Sequence, residues 1–158
     1  MKKLMVATIF ALALLSQGIA FGQKEAKEEA NPEMNAFREK FKQFRQEQRK
    51  VREQHIETQK QENQEFRKSL EGKDNVIALI REHRSTQYTE NVAFVEKQYG
   101  KHVDFINLNA PEKMKEKALA KTKEIFDDIK SRLEKRHEEF LAFLAELEKK
   151  NLSGEELH

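Results

Sequence analysis

The chain contains no cysteine and no tryptophan, and only five glycines and two prolines in 158 residues. Without cysteine there is no thiol nucleophile, no thiolate metal site and no disulfide, so stability must come from packing. Few glycines and prolines mean few turns, and no glycine-rich loop is present to cradle phosphate. No Gly-x-Ser-x-Gly segment occurs, and the few serines sit in charged or turn contexts. Charged residues make up 37% of the chain. They alternate in sign, as solvated helix faces do. The chain is therefore not expected to be an enzyme: it offers no catalytic residues and calls for no cofactor.

The N-terminus has the form of an export signal. Met1-Lys2-Lys3 precedes an apolar run from Leu4 to Leu15, and Ala20 and Gly22 supply the small residues of a cleavage site before Gln23. The run is short of the ~20 residues needed to span a bilayer. No cysteine stands at the cut, which excludes a lipid-anchored terminus. The expected divisions are a signal peptide over 1–22, a flexible segment over 23–31, one all-helical domain over 32–150 and a polar tail over 151–158. The expected address is the periplasm or beyond.

Cleavage would remove Lys2 and Lys3 and no acid, reducing the 30 basic side chains to 28 against 28 acidic ones. A chain of zero net charge lacks the basic excess of a nucleic-acid binder, and no nucleic-acid partner is expected.

What the chain has in quantity is helix-forming sequence. Asn31-Pro32 is a good helix start, and Gly72-Lys73-Asp74 a good break, with Asp74 placed to cap the next helix. This predicts a first helix over 33–71. Its seam, Met34, Phe37, Phe41, Phe44 and Val51, is apolar and then turns polar along Gln48, His55, Thr58 and Glu62, so its second half is expected to be more solvated. Tyr88, Val92, Val95, Tyr99, Val103 and Ile106 continue at helical spacing after an apolar cluster at Val76–Ile80. Residues 74–108 read as one helix or as two joined near Ser85–Thr89. Asn109-Ala110-Pro111 marks the last boundary, with Asn109 as cap. No fixed-period repeat is evident. The fold class is all-α: long helices with coiled-coil-like packing in an elongated hairpin, a cradle or a three-to-four-helix bundle.

The final helix, Pro111 to Lys150, repeats Leu119, Phe126, Leu133, Phe140 and Leu147 every seven residues, with Ile129 and Phe143 on the same stripe. A heptad stripe keeps one face towards a partner. Those seven residues are the expected packing seam, and a homodimer is the expected assembly. Glu134-x-x-His137 has the spacing of a di-iron ligand pair, but it occurs once and lies among Arg132, Lys135 and Arg136. It reads as a solvated helix face. No two histidines have His-x-x-x-His spacing, and no metal site is assigned. His55 is expected to be packed or water-bound.

One segment stands out electrostatically. Residues 37–52 carry seven basic side chains against Glu39 and Glu47, a net charge of +5. Phe37, Phe41 and Phe44 share one face, flanked by Arg38, Lys40, Lys42, Arg45, Arg49, Lys50 and Arg52. The rings read either as core covered by charges, or as anchors in a basic rim. The second reading makes Phe37, Arg38, Phe41, Lys42, Phe44, Arg45, Arg49 and Arg52 a candidate surface for unfolded, partly acidic polypeptide. Peripheral contact with anionic lipid is the less favoured use of the same surface.

In its leader, length and long charged helices, the chain resembles the Spy/CpxP group of periplasmic stress proteins. The nearest counterparts of that group's Leu-Thr-x-x-Gln motif are Leu108-Asn109-Ala110-Pro111-Glu112 and Leu152-Ser153-Gly154-Glu155-Glu156, neither with both the Thr and the Gln. The resemblance implies a cradle-shaped helical dimer that holds unfolded clients on a basic concave face without ATP. No family site residue is carried over. Two readings follow: an ATP-independent periplasmic chaperone or stress-response modulator, and a structural coiled-coil protein of the envelope. A periplasmic metal sensor is a weaker third.

Overall fold

The computed structural model describes residues 32–152. The expected signal peptide over 1–22, residues 23–31, His158 and the tail beyond Leu152 lie outside the described residues. Three helices follow one another: α1 (Pro32–Ser69), α2 (Val76–Asn109) and α3 (Glu112–Leu152). At 1.5 Å per residue each is roughly 50–60 Å long. The fold is all-α, with no strand among the described residues. The middle segment is one unbroken helix, which settles the choice between three and four segments.

The ends of the helices follow local chemistry, with two corrections. Glu33 stands in the first turn of α1, and Arg67 and Lys68 in its last, each complementing the helix dipole. Gly72 has φ +71°, the left-handed conformation that ends a helix at least cost in glycine. Asn75, not Asp74, is the N-cap of α2, and its side chain makes no capping hydrogen bond. Asn109 does not cap α3. It is the last residue of α2, where its Nδ2 donates to the Phe105 carbonyl at 3.0 Å and its Oδ1 accepts from Lys40 Nζ at 3.2 Å. Ala110 is extended, and α3 starts immediately after Pro111.

α2 is antiparallel to both neighbours and packs more closely on α3 than on α1. Between α2 and α3 lies a small apolar core of Val95, Phe126 and Leu133, with Tyr88, Tyr99 and Ile129 against it. Each fully buried side chain of this kind contributes about 1.5–3 kcal/mol. Arg81–Glu148 at 2.6 Å and Lys130–Glu96 at 2.8 Å join the same two helices at the surface.

The buried rows recur every eleven residues, not every seven. Phe37, Gln48 and Gln59 on α1 are so spaced, as are Gln87 and Gln98, Asn91 and His102, and Val95 and Ile106 on α2. On α3 the same holds for Thr122, Leu133 and Leu144. Eleven residues make three turns of a nearly straight helix, whereas a heptad row drifts about 20° per repeat.

That drift explains where the expected α3 seam falls. Phe126 and Leu133 are buried, and Ile129 packs on the core. Leu119, Phe140 and Leu147 are half-buried, and Phe143 is 40% exposed. Ala118, Thr122 and Leu144 complete the buried row instead. The same drift corrects the second half of α1. Thr58 and Glu62 face solvent, while Gln59 is buried and His55, Asn63 and Phe66 are half-buried. This half is packed too, with polar side chains.

Candidate functional site

The eight residues singled out on α1 divide by chemistry. Phe37 and Phe41 are buried, and Phe44 is half-buried. All three rings meet Phe105 of α2, at centroid distances of 6.0, 5.8 and 4.4 Å. They are core, not open anchors, because an eleven-residue row from Phe37 through Gln48 faces α2. The cations run along the flank of that row: Arg38, Lys42, Arg45 and Arg49 are exposed, and Arg49 pairs with Glu53 at 2.8 Å. Arg52 is half-buried, and burial, with Arg45 and Arg49 nearby, holds its guanidinium below the usual arginine range. The surface that remains is a cationic stripe along an exposed flank of α1.

Behind that stripe lies an arrangement that periodicity in the sequence did not reveal. Three ring pairs join α1 to α2 in antiparallel register: Phe44 on Phe105, His55 on Phe94 and Phe66 on His83. The rungs are eleven residues apart on each helix, roughly 16 Å along the axis. The two imidazole stacks are nearly parallel, with centroids 4.0 and 3.9 Å apart. His55 Nε2 donates to Asn91 Oδ1 at 3.0 Å, and His83 Nε2 donates to Asn63 Oδ1 at 3.1 Å. Asn63 Nδ2 in turn donates to the Gln59 carbonyl at 2.7 Å, which turns its oxygen towards the imidazole.

His102 is the third imidazole of this region and the most deeply buried. It meets Phe44 of α1 and Phe126 of α3 edge-on, at 4.9 and 5.1 Å. Its Nδ1–H donates to the Gln98 carbonyl at 2.8 Å. Burial lowers its pKa, and Arg52 and Arg45 lower it further, against the upward effect of the Gln98 carbonyl. His83 is also lowered, by burial and then by Arg84, with Glu90 opposing. Arg84 itself is pushed down to about 10 by burial and by Arg67. It lies 5.0 Å from the Phe140 ring centroid and donates to Gln87 Oε1 at 3.2 Å.

The antiparallel register set by His55–Asn91 and Asn63–His83 places Gln48 opposite Gln98 and Gln59 opposite Gln87. All four are buried, and Gln48 Oε1, Gln59 Nε2, Gln87 Nε2 and both amide atoms of Gln98 have no hydrogen-bond partner. Buried amide atoms left unpaired cost about 1–3 kcal/mol each. The α1–α2 contact is therefore aromatic and polar, while the α2–α3 contact is apolar.

His137 lies outside this seam and is stacked on Tyr88 at 4.3 Å, a packed ring on what read as a solvated face. Among the described residues no three His, Asp or Glu side chains converge as metal ligands. A shallow groove between α2 and α3 is floored by Val95, Tyr99 and Phe126. Its rim charges are paired as Lys123–Asp127 and Lys130–Glu96, so it offers a ligand little uncompensated charge. No helix among the described residues is long and apolar enough to cross a membrane.

The histidine seam carries a sequence signal after all. Asn63-x-x-Phe66 and Asn91-x-x-Phe94 are the same four-residue pattern, and each places an amide and a ring one turn apart on one helix face. Only the pairing of the helices brings a histidine to each. Comparison with known proteins finds no matching family model, no matching curated protein and no matching solved structure.

Proposed function

We propose that this chain is an ATP-independent holding protein of the cell envelope that captures unfolded, acid-rich polypeptide on the exposed flank of α1. The observation that carries the reading is the separation of rings from cations. The Phe37, Phe41 and Phe44 rings are engaged with Phe105, while Arg38, Lys42, Arg45 and Arg49 are exposed in a segment of net charge +5. A local cationic stripe attracts anionic partners at long range without fixing a sequence. The export-type sequence pattern of residues 1–22 supports a periplasmic setting for this activity.

Light scattering of an aggregating client, with and without the protein and at low and high salt, tests it. Suppression that weakens with salt is expected. Arg38→Glu/Lys42→Glu/Arg45→Glu should abolish it with helix content unchanged. Full suppression by that variant would sink the reading.

The second reading, a structural envelope protein that self-associates through α3, draws on Phe143, which is 40% exposed beside the ring of Phe140. It requires an oligomer that Phe143→Asp dissociates. A monomer at high concentration counts against it.

A further inference from the structure

We propose that α1 is an acid-released arm: protonation of His83 and His102 separates α1 from the α2–α3 pair, with Gly72 in the turn about which α1 moves. The inference stands apart from the client-binding reading, because it concerns the position of α1 and not what the chain holds.

Three observations converge on it. First, all three imidazoles lie where α1 meets α2, and their partners are neutral. His55 contacts Asn91 and Phe94, His83 contacts Asn63 and Phe66, and His102 contacts Phe44, Phe126 and the Gln98 carbonyl. One N–H of each ring is bonded, Nε2–H on His55 and His83 and Nδ1–H on His102. A second proton on His83 or His102 places charge in a half-buried or buried site.

Second, the fixed charges acting on His83 and His102 are chiefly cationic. Arg45 and Arg52 of α1 act on His102, and α3 presents to it the uncharged ring of Phe126. Arg84 of α2 acts on His83 and itself lies close to Arg67 of α1, while Glu90 opposes. A ring face can attract an imidazolium. At His83 desolvation and Arg84 outweigh Glu90.

Third, this contact is the weaker of the two made by α2. It contains the unpaired amides of Gln48, Gln59, Gln87 and Gln98, which water would satisfy on opening, whereas α2 and α3 share the apolar core and two ion pairs. Loss of the α1 contact therefore precedes loss of the α2–α3 contact. Release would expose Phe37, Phe41 and Phe105 on the inner faces.

The absence of cysteine makes the test direct. Spin labels at Gln61→Cys and Glu138→Cys report the α1–α3 distance, and labels at Ala93→Cys and Ser131→Cys report α2–α3. All four positions are exposed. Between about pH 7.5 and pH 5, the range in which histidine titrates, the first distance is expected to lengthen and the second to hold. His83→Gln/His102→Gln should abolish the lengthening. Should that variant fail to fold at neutral pH, His83→Gln and His102→Gln singly are each expected to shift the midpoint to lower pH. The proposal is overturned by an unchanged α1–α3 distance, by both distances changing together, by opening of the folded double variant as in wild type, or by an unmoved midpoint in both single variants.

Discussion

His55 of α1 and His83 of α2 occupy equivalent positions in the helix pair. Each stacks on a phenylalanine of the opposite helix, and each donates Nε2–H to an asparagine three residues before that phenylalanine. The contact is reciprocal, as an antiparallel pair with the same eleven-residue spacing on both sides requires.

Equivalence of geometry implies equivalence of energy. Asn91→Ala and Asn63→Ala each leave a partly buried imidazole N–H without its acceptor. Each is expected to cost about 1 kcal/mol in urea unfolding, within a few tenths of the other. A large effect at one site and none at the other would show that the two clamps are not equivalent.

Gln98 is 1% exposed and leaves both amide atoms unpaired. Gln98→Met keeps the shape and removes the unmet groups, so a gain of about 1 kcal/mol is expected from the same measurement. A loss of stability would mean that the amide has partners in solution, ordered water included.

Leu133 and Phe143 were read from one stripe of α3 but differ in burial, at 7% and 40% exposed. Leu133→Ala should cost about 2–5 kcal/mol. Phe143→Ala should cost well under half as much, since surface substitutions stay within about 0.5 kcal/mol. Thermal melts of the two variants decide between the heptad row and the eleven-residue row.

Gly100 lies exposed inside α2, and a Cβ there would meet nothing within 4 Å. Gly100→Ala should stabilise by about 0.5–1 kcal/mol, through the lower backbone entropy of the unfolded chain and better helix propensity. A higher melting temperature checks it.

Stability should fall in acid, and the sign follows from His83 and His102. Both are held below the ordinary value of 6.5 in the folded chain. Once the pH drops below that value, the unfolded chain binds more protons than the folded one. The contribution is complete above it and is lost progressively as the pH falls towards the folded-state values. Urea unfolding across this window should show a midpoint declining with acidification, and His102→Gln should flatten the decline. A midpoint that rises in acid would reverse the assigned environment of both rings.

Much of the architecture was legible without coordinates. Pro32, Gly72 and Pro111 punctuate three long helix-forming stretches, and each break lies within a few residues of its expected place. The continuity of α2 through Ser85–Thr89 was open because no glycine or proline decides it there. It is settled by Tyr88, whose stack on His137 packs that stretch against α3.

The candidate site was legible only in outline. The charge of the 37–52 segment is a property of composition and local order, which sequence contains in full. Which way Phe37 and Phe41 point depends on Phe105, more than sixty residues away along the chain. The reciprocal histidine clamps were hidden for the same reason, and because imidazole and amide side chains in a seam look like solvent-facing residues until an opposite helix supplies their partners.

Three helices, their breaks and a cationic stretch in α1 follow from backbone preference and charge along continuous segments. The eleven-residue register, the inward turn of the phenylalanines and the meeting of His55, His83 and His102 in one seam arise only when the helices pack. The reason is geometric: a nearly straight helix returns the same face after three turns, and only the partner helix selects which of its rows becomes the interior.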